Sequence, residues 1–247
     1  EADCPSGTQT VVRSDALSTP SGVADVENAY VLSKAVLAFY ASLGRNSIDD
    51  AGMVLHSTVR MCFVDDCPFV NAFWDGTQMV YGAGFASADD VVAHELTHGV
   101  TQYESGLLSY SESGAIDESL SDVFGELFDQ SYDGAADDDS PAARWLVGED
   151  LPIGALRDMQ DPTSLGDPDR MTSPFYSGSS NDRYGIHSNS GVNNKAASLI
   201  ADGGSFNGVS VAGIGIAKTA FVYYELQTSV LTPGSDYLDL FRALPQA

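Results

Sequence analysis

Four histidines occur in the chain, and two of them, His94 and His98, sit four residues apart in Val91-Val92-Ala93-His94-Glu95-Leu96-Thr97-His98-Gly99-Val100. On an α-helix that spacing stacks both rings on one face, where a single metal ion reaches both nitrogens. Glu95 is turned about 100° from His94, near enough to hold an attacking water without taking a ligand position. A catalytic zinc needs a third protein ligand. Gly114-Ala115-Ile116-Asp117-Glu118-Ser119-Leu120-Ser121-Asp122 offers Glu118 and Asp122, again four apart, in a run whose apolar residues also repeat helically. One acid then serves as ligand and the other as partner to a ligand histidine. A solvated acidic face would use the same residues, but Ile116, Leu120 and Val123 anchor this helix in a core. The constraint is two helices packed with imidazoles facing carboxylates, a pattern whose expected chemistry is metal-assisted hydrolysis.

The remaining composition narrows the partners. With 247 residues, 43% of them hydrophobic, the chain can bury a core in one large or two smaller domains. A formal charge of -24, from 35 acids against 11 bases, argues against nucleic acid or an anionic membrane as partner. Such an excess repels itself, so some acids are expected to gather round divalent cations, calcium above all, or to face a salty extracellular medium. Cys62 and Cys67 bracket Phe-Val-Asp-Asp, a spacing a tight loop can close with a disulfide, which leaves Cys4 free or paired outside the chain. No apolar run reaches the roughly 18 residues needed to span a bilayer.

Along the chain, Glu1 to Ser21 reads as loop with at most one strand, and Asp25 to Leu43 as an amphipathic helix stopped by Gly44. Met53 to Met61 alternates as a strand does. Asp75-Gly76, between Asn71-Ala72-Phe73-Trp74 and Gln78-Met79-Val80-Tyr81, marks a hairpin whose edge could add an extended peptide or simply pack the sheet. The metal helix begins at Ala88-Asp89-Asp90, and the next runs from Ala115 to about Ser131. Asp133 to Pro141 is an acidic loop, and Ala143 to Gly191 reads as long ordered loops that need metal or functional contacts. Helical signals return at Gly191 to Ala201, Gly215 to Leu231 and Asp236 to Leu244.

At His94 and Glu118 the sequence closely resembles the thermolysin-like zinc metallopeptidases, in which H-E-x-x-H is followed, after nineteen residues, by the glutamate of G-A-I-x-E-x-x-S-D. Supporting matches are Asn71-Ala72-Phe73-Trp74 with Met79-Val80-Tyr81-Gly82, Ala155-Leu156-Arg157 before Asp161-Pro162, and Gly185-Ile186-His187-Ser188-Asn189-Ser190-Gly191 before Asn193-Asn194-Lys195. Their order and approximate spacing agree from about Ala24 to Pro245. The resemblance implies an α+β fold: a β-rich N-terminal lobe, residues 1–100, ending in the zinc helix at the cleft floor, and a mainly helical C-terminal lobe, residues 101–247. It implies a secreted, extracellular, monomeric endopeptidase, made as a zymogen, that cuts peptides and proteins before bulky hydrophobic residues.

By the same resemblance His94, His98 and Glu118 bind zinc, Glu95 is the general base, and His187, oriented by Asp182, faces it across the cleft. Asp117 and Asp122 bond the ligand histidines. Asn71 and Ala72 hold the substrate backbone, Arg157 takes a peptide carbonyl, and Val91 and Leu156 line the pocket after the cut. Relatives bind calcium through acids matching Asp90, Glu126 and Asp129, with a further ligand here from Asp137, Asp138 or Asp139 or the carbonyl of Leu146. Two departures bear on the chemistry. Where relatives carry an oxyanion-holding tyrosine this chain has Ser109, so that either neighbouring Tyr110 rotates into the role or His187 carries more of it; and Arg144 stands at an acid position. Relatives also extend further at both ends, so the family's first strands and last helices are expected to be absent, held as a separate segment, or replaced by a loop-rich remodelling. Two rival readings are a zinc-binding protein without turnover and an aminopeptidase.

Overall fold

The computed structural model describes residues 11–17, 19–132 and 140–247; Cys4, Asp137, Asp138 and Asp139 lie outside the described residues. The first helix, α1, spans Ala24–Ser42. Its apolar positions Ala29, Leu32, Val36 and Tyr40 recur at three or four and are all buried, which makes one face of the helix core. Gly44 ends the segment in a left-handed conformation (φ 98°) that a side chain would resist.

A three-stranded sheet follows, formed by β1 (Ser57–Thr58), β2 (Ala72–Trp74) and β3 (Met79–Tyr81) in the order β1-β3-β2. The β2–β3 hairpin turns at Asp75-Gly76, where the Asp75 carboxylate accepts from Thr77 N at 2.8 Å and Gln78 N at 2.9 Å. The strand expected over Met53 to Met61 is reduced to two paired residues. Its partner β3 is only three residues long, so pairing ends with bonds to His56 O and Met61 N, and Arg60 turns away at φ 56°. β1 and β2 are the outer strands of the sheet. The nearby loop is closed by the Cys62–Cys67 disulfide.

Helix α2, Asp89–Tyr103, and helix α3, Ser111–Asp129, form the centre of the molecule. Val92, Ala93, Leu96 and Val100 from α2 meet Ile116, Leu120, Val123 and Phe124 from α3 in the core, all essentially inaccessible. The helices pack closely because α3 has glycine at 125, where a Cβ would stand 2.8 Å from the Asp90 carbonyl oxygen. Tyr40 and Thr97 share a buried 2.6 Å hydroxyl hydrogen bond that fastens α1 to α2.

The segment after residue 140, expected as long loops, carries short elements of its own. Strands β4 (Leu146–Val147) and β5 (Arg157–Asp158) pair antiparallel, and α4 (Asp182–Asn189) opens with a left-handed turn through Arg183, Tyr184 and Gly185. Helix α5 (Gly191–Asp202) leads into a hairpin, β6 (Gly203–Phe206) and β7 (Val209–Ala212), that the sequence reading missed. Asn207-Gly208, both at positive φ, is its turn. Helix α6 (Ile216–Glu225) relaxes into a π-helical turn, Leu226–Val230, where buried Gln227 donates to Thr101 of α2 at 2.9 Å. Helix α7, Tyr237–Ala243, starts with a capping box formed by Asp236 and Asp239. The fold is α+β, β-rich first and mainly helical afterwards, as the sequence implies. Among the described residues no helix is long and apolar enough to cross a membrane.

Candidate metal centre and its cleft

The i,i+4 spacing on α2 brings the Nε2 atoms of His94 and His98 within 3.0 Å of each other. Glu118, from α3, places Oε2 at 3.5 Å from His94 Nε2 and 3.7 Å from His98 Nε2. A tetrahedral ion with ligands at about 2.0–2.1 Å has ligand-to-ligand edges of about 3.3 Å, so the three donors already stand at the spacing of zinc. Glu118 Oε2 is also buried with no hydrogen-bond donor of its own, an arrangement a cation resolves.

Behind the donors a layer of carboxylates sets the ring orientation. His94 Nδ1 faces Asp122 at 2.9 Å, and His98 Nδ1 faces Asp117 at 3.1 Å and the Ser121 hydroxyl at 3.2 Å. A proton kept on Nδ1 leaves the Nε2 lone pair for metal. Asp122 is itself gripped by Arg157 through two bonds, at 2.7 and 2.5 Å, and by Asn194 at 2.7 Å.

The electrostatics of these side chains follow from this packing. Burial would lower the His94 and His98 pKa values, but the surrounding carboxylates outweigh it, Asp122 and Glu118 raising His94 to about 9 and Asp117 and Glu118 raising His98 to about 10. For Glu118 burial pulls upward, yet His98 and His94 hold the carboxyl down at about 2. Protons thus compete with metal for the imidazoles. Glu95, 6% exposed, is pushed up by burial, against the opposing pull of His94 and His98. That is the direction a proton-accepting carboxylate needs.

These groups floor an open cleft of about 910 Å³. On one wall His187 donates its Nδ1–H to Asp182 Oδ1 at 2.5 Å, while Asp182 Oδ2 takes the His187 backbone N–H at 3.0 Å. The other ring nitrogen, Nε2, lies 3.4 Å from Glu118 Oε1. Asn71, Ala72, Val91, Leu156 and Arg157 all line the cleft. Tyr110 does not. It precedes α3 in extended backbone, is exposed, and leans on Tyr184 with ring centroids 5.1 Å apart, while Ser109 takes the cleft-facing position. Of the two alternatives for the oxyanion role, only His187 lines the cleft in this structure. Ser109 and Arg183 are cleft residues that sequence reasoning did not assign.

A second acidic group lies where α2 and α3 approach. Carboxylate oxygens of Asp90, Glu126 and Glu149 fall within 4.8 Å of one another. Asp90 accepts from Val91 N at 2.6 Å and from Gly148 N at 2.5 Å, which points it at the others. Burial, with repulsion from Asp89, raises Asp90 to about 7; burial with repulsion from Asp90 raises Glu149 to about 8 and, with Glu149 added, Glu126 well above the usual carboxylate range. Asp129 is not one of these three carboxylates, although it adds to the repulsion on Glu126. Glu149 escaped the sequence reading. Arg144, at the position where relatives carry an acid, instead clamps Asp202 at 2.6 and 2.8 Å.

Two imidazoles from one helix, a carboxylate from the next and a glutamate beside them define the H-E-x-x-H zinc proteins whose third donor is a downstream glutamate. Residues 5–102 match the family description "Thermolysin metallopeptidase, catalytic domain" and residues 105–247 match "Thermolysin metallopeptidase, alpha-helical domain". The chain belongs to the thermolysin metallopeptidase family. It is 43% identical, over 92% of its length, to a zinc metalloproteinase of Renibacterium salmoninarum, covering 44% of that protein. To a bacillolysin of Brevibacillus brevis it is 46% identical over 81% of this chain and 37% of the other. It superimposes on the precursor of protealysin, a metalloproteinase from Serratia proteamaculans, with a TM-score of 0.74 at 30% identity, over 92% of this chain and 73% of that one. The chain spans less than half the length of these curated relatives. Zinc is the metal that family and donor set support.

Proposed function

We propose that the protein is a secreted zinc-dependent endopeptidase that cuts peptide bonds on the amino side of bulky hydrophobic residues. The observation carrying this reading is the donor triangle of His94, His98 and Glu118 with Glu95 on the same helix and His187 on the facing wall. Bound zinc would supply the electrophile that polarises the scissile carbonyl and lowers the pKa of water. Glu95 takes the water's proton as the oxygen attacks and returns it to the leaving amine. His187, steadied by Asp182, donates to the carbonyl oxygen as charge builds there; removing such a donor costs about 10²–10³ in kcat.

Substrate lies extended along the outer side of β2, where Asn71, just before the strand, and Ala72 line the cleft and offer backbone groups. Val91 and Leu156 present an apolar pocket to the side chain following the cut. A methylene there discriminates by only about 1–3 kcal/mol, so cleavage is broad. With two guanidinium bonds committed to Asp122, Arg157 reaches a peptide carbonyl through its remaining N–H groups. The protein works as a monomer with calcium held by Asp90, Glu126 and Glu149, and lobes 1–100 and 101–247 meet along the zinc helix.

The test is hydrolysis of an internally quenched peptide blocked at its N-terminus. Wild type cleaves before Leu or Phe, and Glu95→Gln loses turnover by at least about 10²-fold while zinc stays at one per chain. Retained activity in that variant rules out Glu95 as base; cleavage only of peptides with a free amine makes the protein an aminopeptidase.

A further inference from the structure

The cleft carries four carboxylates, Glu95, Asp117, Glu118 and Asp182, and two arginines, Arg157 and Arg183. The arginines stand in different electrostatic settings. Arg157 is matched by the bidentate contact with Asp122. Arg183 has no carboxylate within ion-pair distance among the described residues; its Nη1 donates at 2.5 Å to the neutral hydroxyl of Ser109. Four of its five N–H donors remain for something else.

The backbone beneath it is unusual. Asp182, Arg183 and Tyr184 have φ values of 52°, 49° and 71°, and none is glycine. Left-handed backbone is disfavoured for such residues and persists where surrounding contacts over-determine it. Here each side chain of the turn has a contact of its own: Asp182 holds His187, Arg183 reaches Ser109, and Tyr184 packs on Tyr110. The turn thereby presents a tethered guanidinium at the cleft beside His187.

We propose that Arg183 is a specificity residue that receives a substrate carboxylate, either an acidic side chain or the free C-terminus of a short peptide. A guanidinium fork matches a carboxylate bidentately, and the Ser109 tether limits the entropy lost when it does so. A net charge of -24 and the acidic cleft walls repel anionic groups, so the place where a substrate carboxylate is accepted is set by this unmatched cation. The inference rests on the cleft being the peptide groove of the proposed endopeptidase.

The test uses a neutral quenched peptide, versions with one Glu or Gln moved through each position on either side of the cut, and a short peptide with a free or an amidated C-terminus. The zinc-loaded protein is expected to prefer Glu over Gln at one position, or the free terminus over the amide, by about five-fold in kcat/KM at low salt, as befits a partly exposed ion pair. The preference flattens at high salt. Arg183→Gln abolishes that ratio and Arg183→Lys restores part of it. A ratio equal in wild type and Arg183→Gln for every peptide overturns the proposal. Binding of the same peptides to Glu95→Gln, read by fluorescence anisotropy, separates the two readings. An Arg183-dependent preference in binding, without turnover by wild type, removes the endopeptidase and keeps the specificity residue; turnover without preference does the reverse.

Discussion

His94 Nδ1 lies 2.9 Å from a carboxylate oxygen of Asp122, and that carboxylate is wholly buried. The same group neutralises Arg157, whose side chain is only 13% exposed. Asp122 therefore links zinc affinity to fold stability. Its own pKa is driven far below the usual carboxylate range because Arg157 and His94 outweigh the burial that would raise it.

Asp122→Asn should separate those two roles. The neutral amide no longer strengthens His94 as a ligand, and zinc affinity falls about 10–100-fold, measured by chelator competition. Arg157 is left with an uncompensated buried charge, and unfolding free energy falls by about 3–5 kcal/mol in denaturant melts. Adding Arg157→Met recovers stability but not zinc affinity. Unchanged zinc binding in Asp122→Asn would show that the 2.9 Å contact does not tune the ligand.

The acidic trio gives a pH dependence with a definite sign. Asp90 and Glu149, raised to about 7 and about 8, hold protons in the fold that the unfolded chain, with ordinary carboxyls, has already released. Without calcium the contribution of this trio to stability is thus largest at low pH and is lost as pH rises from about 4 to about 8. Calcium binds the ionised trio and stabilises the fold by mass action. Thermal melts with zinc kept saturating should show a Tm gain from calcium that is small at pH 5 and larger at pH 8. An equal gain at both, or none, would mean that these three carboxylates do not hold the ion.

What was legible in the sequence depended on whether one local rule decided the outcome. The grouping of His94, His98 and Glu118 could be read because helical spacing fixes which side chains share a face, and the apolar Ile116, Leu120 and Val123 fix which face is buried. The turn at Asp75-Gly76 is readable for its chemistry, and Asn207-Gly208 carries the same signal between β6 and β7. Met53 to Met61 alternated like a strand, yet ladder length is set by the three-residue partner, a non-local fact. Glu149 joins Asp90 and Glu126 only because Gly148 N bonds Asp90 across 58 positions of sequence. Tyr110 looked suitable by type, but the residue before a helix points by its backbone angles, and these turn it toward Tyr184.

Gly125 tests whether helix contact sets the metal geometry. A Cβ there would meet the Asp90 carbonyl oxygen at 2.8 Å and its carbonyl carbon at 3.5 Å, backbone atoms that cannot rotate aside. Gly125→Ala gains helix propensity of about 1 kcal/mol, yet overpacking of this kind costs about 1–3 kcal/mol, and relief comes only by moving α3 away from α2. His94 and His98 ride on one helix and Glu118 on the other, so the movement lengthens the 3.5 and 3.7 Å separations while leaving the 3.0 Å histidine pair intact. Zinc then loses its carboxylate ligand preferentially. The expected outcome is weaker zinc binding, read by chelator competition, together with a lower Tm that added calcium restores only in part, since Asp90 and Glu126 are also drawn apart. A variant as stable as wild type with unaltered zinc affinity would show that the helices can absorb the methyl group without moving the donors.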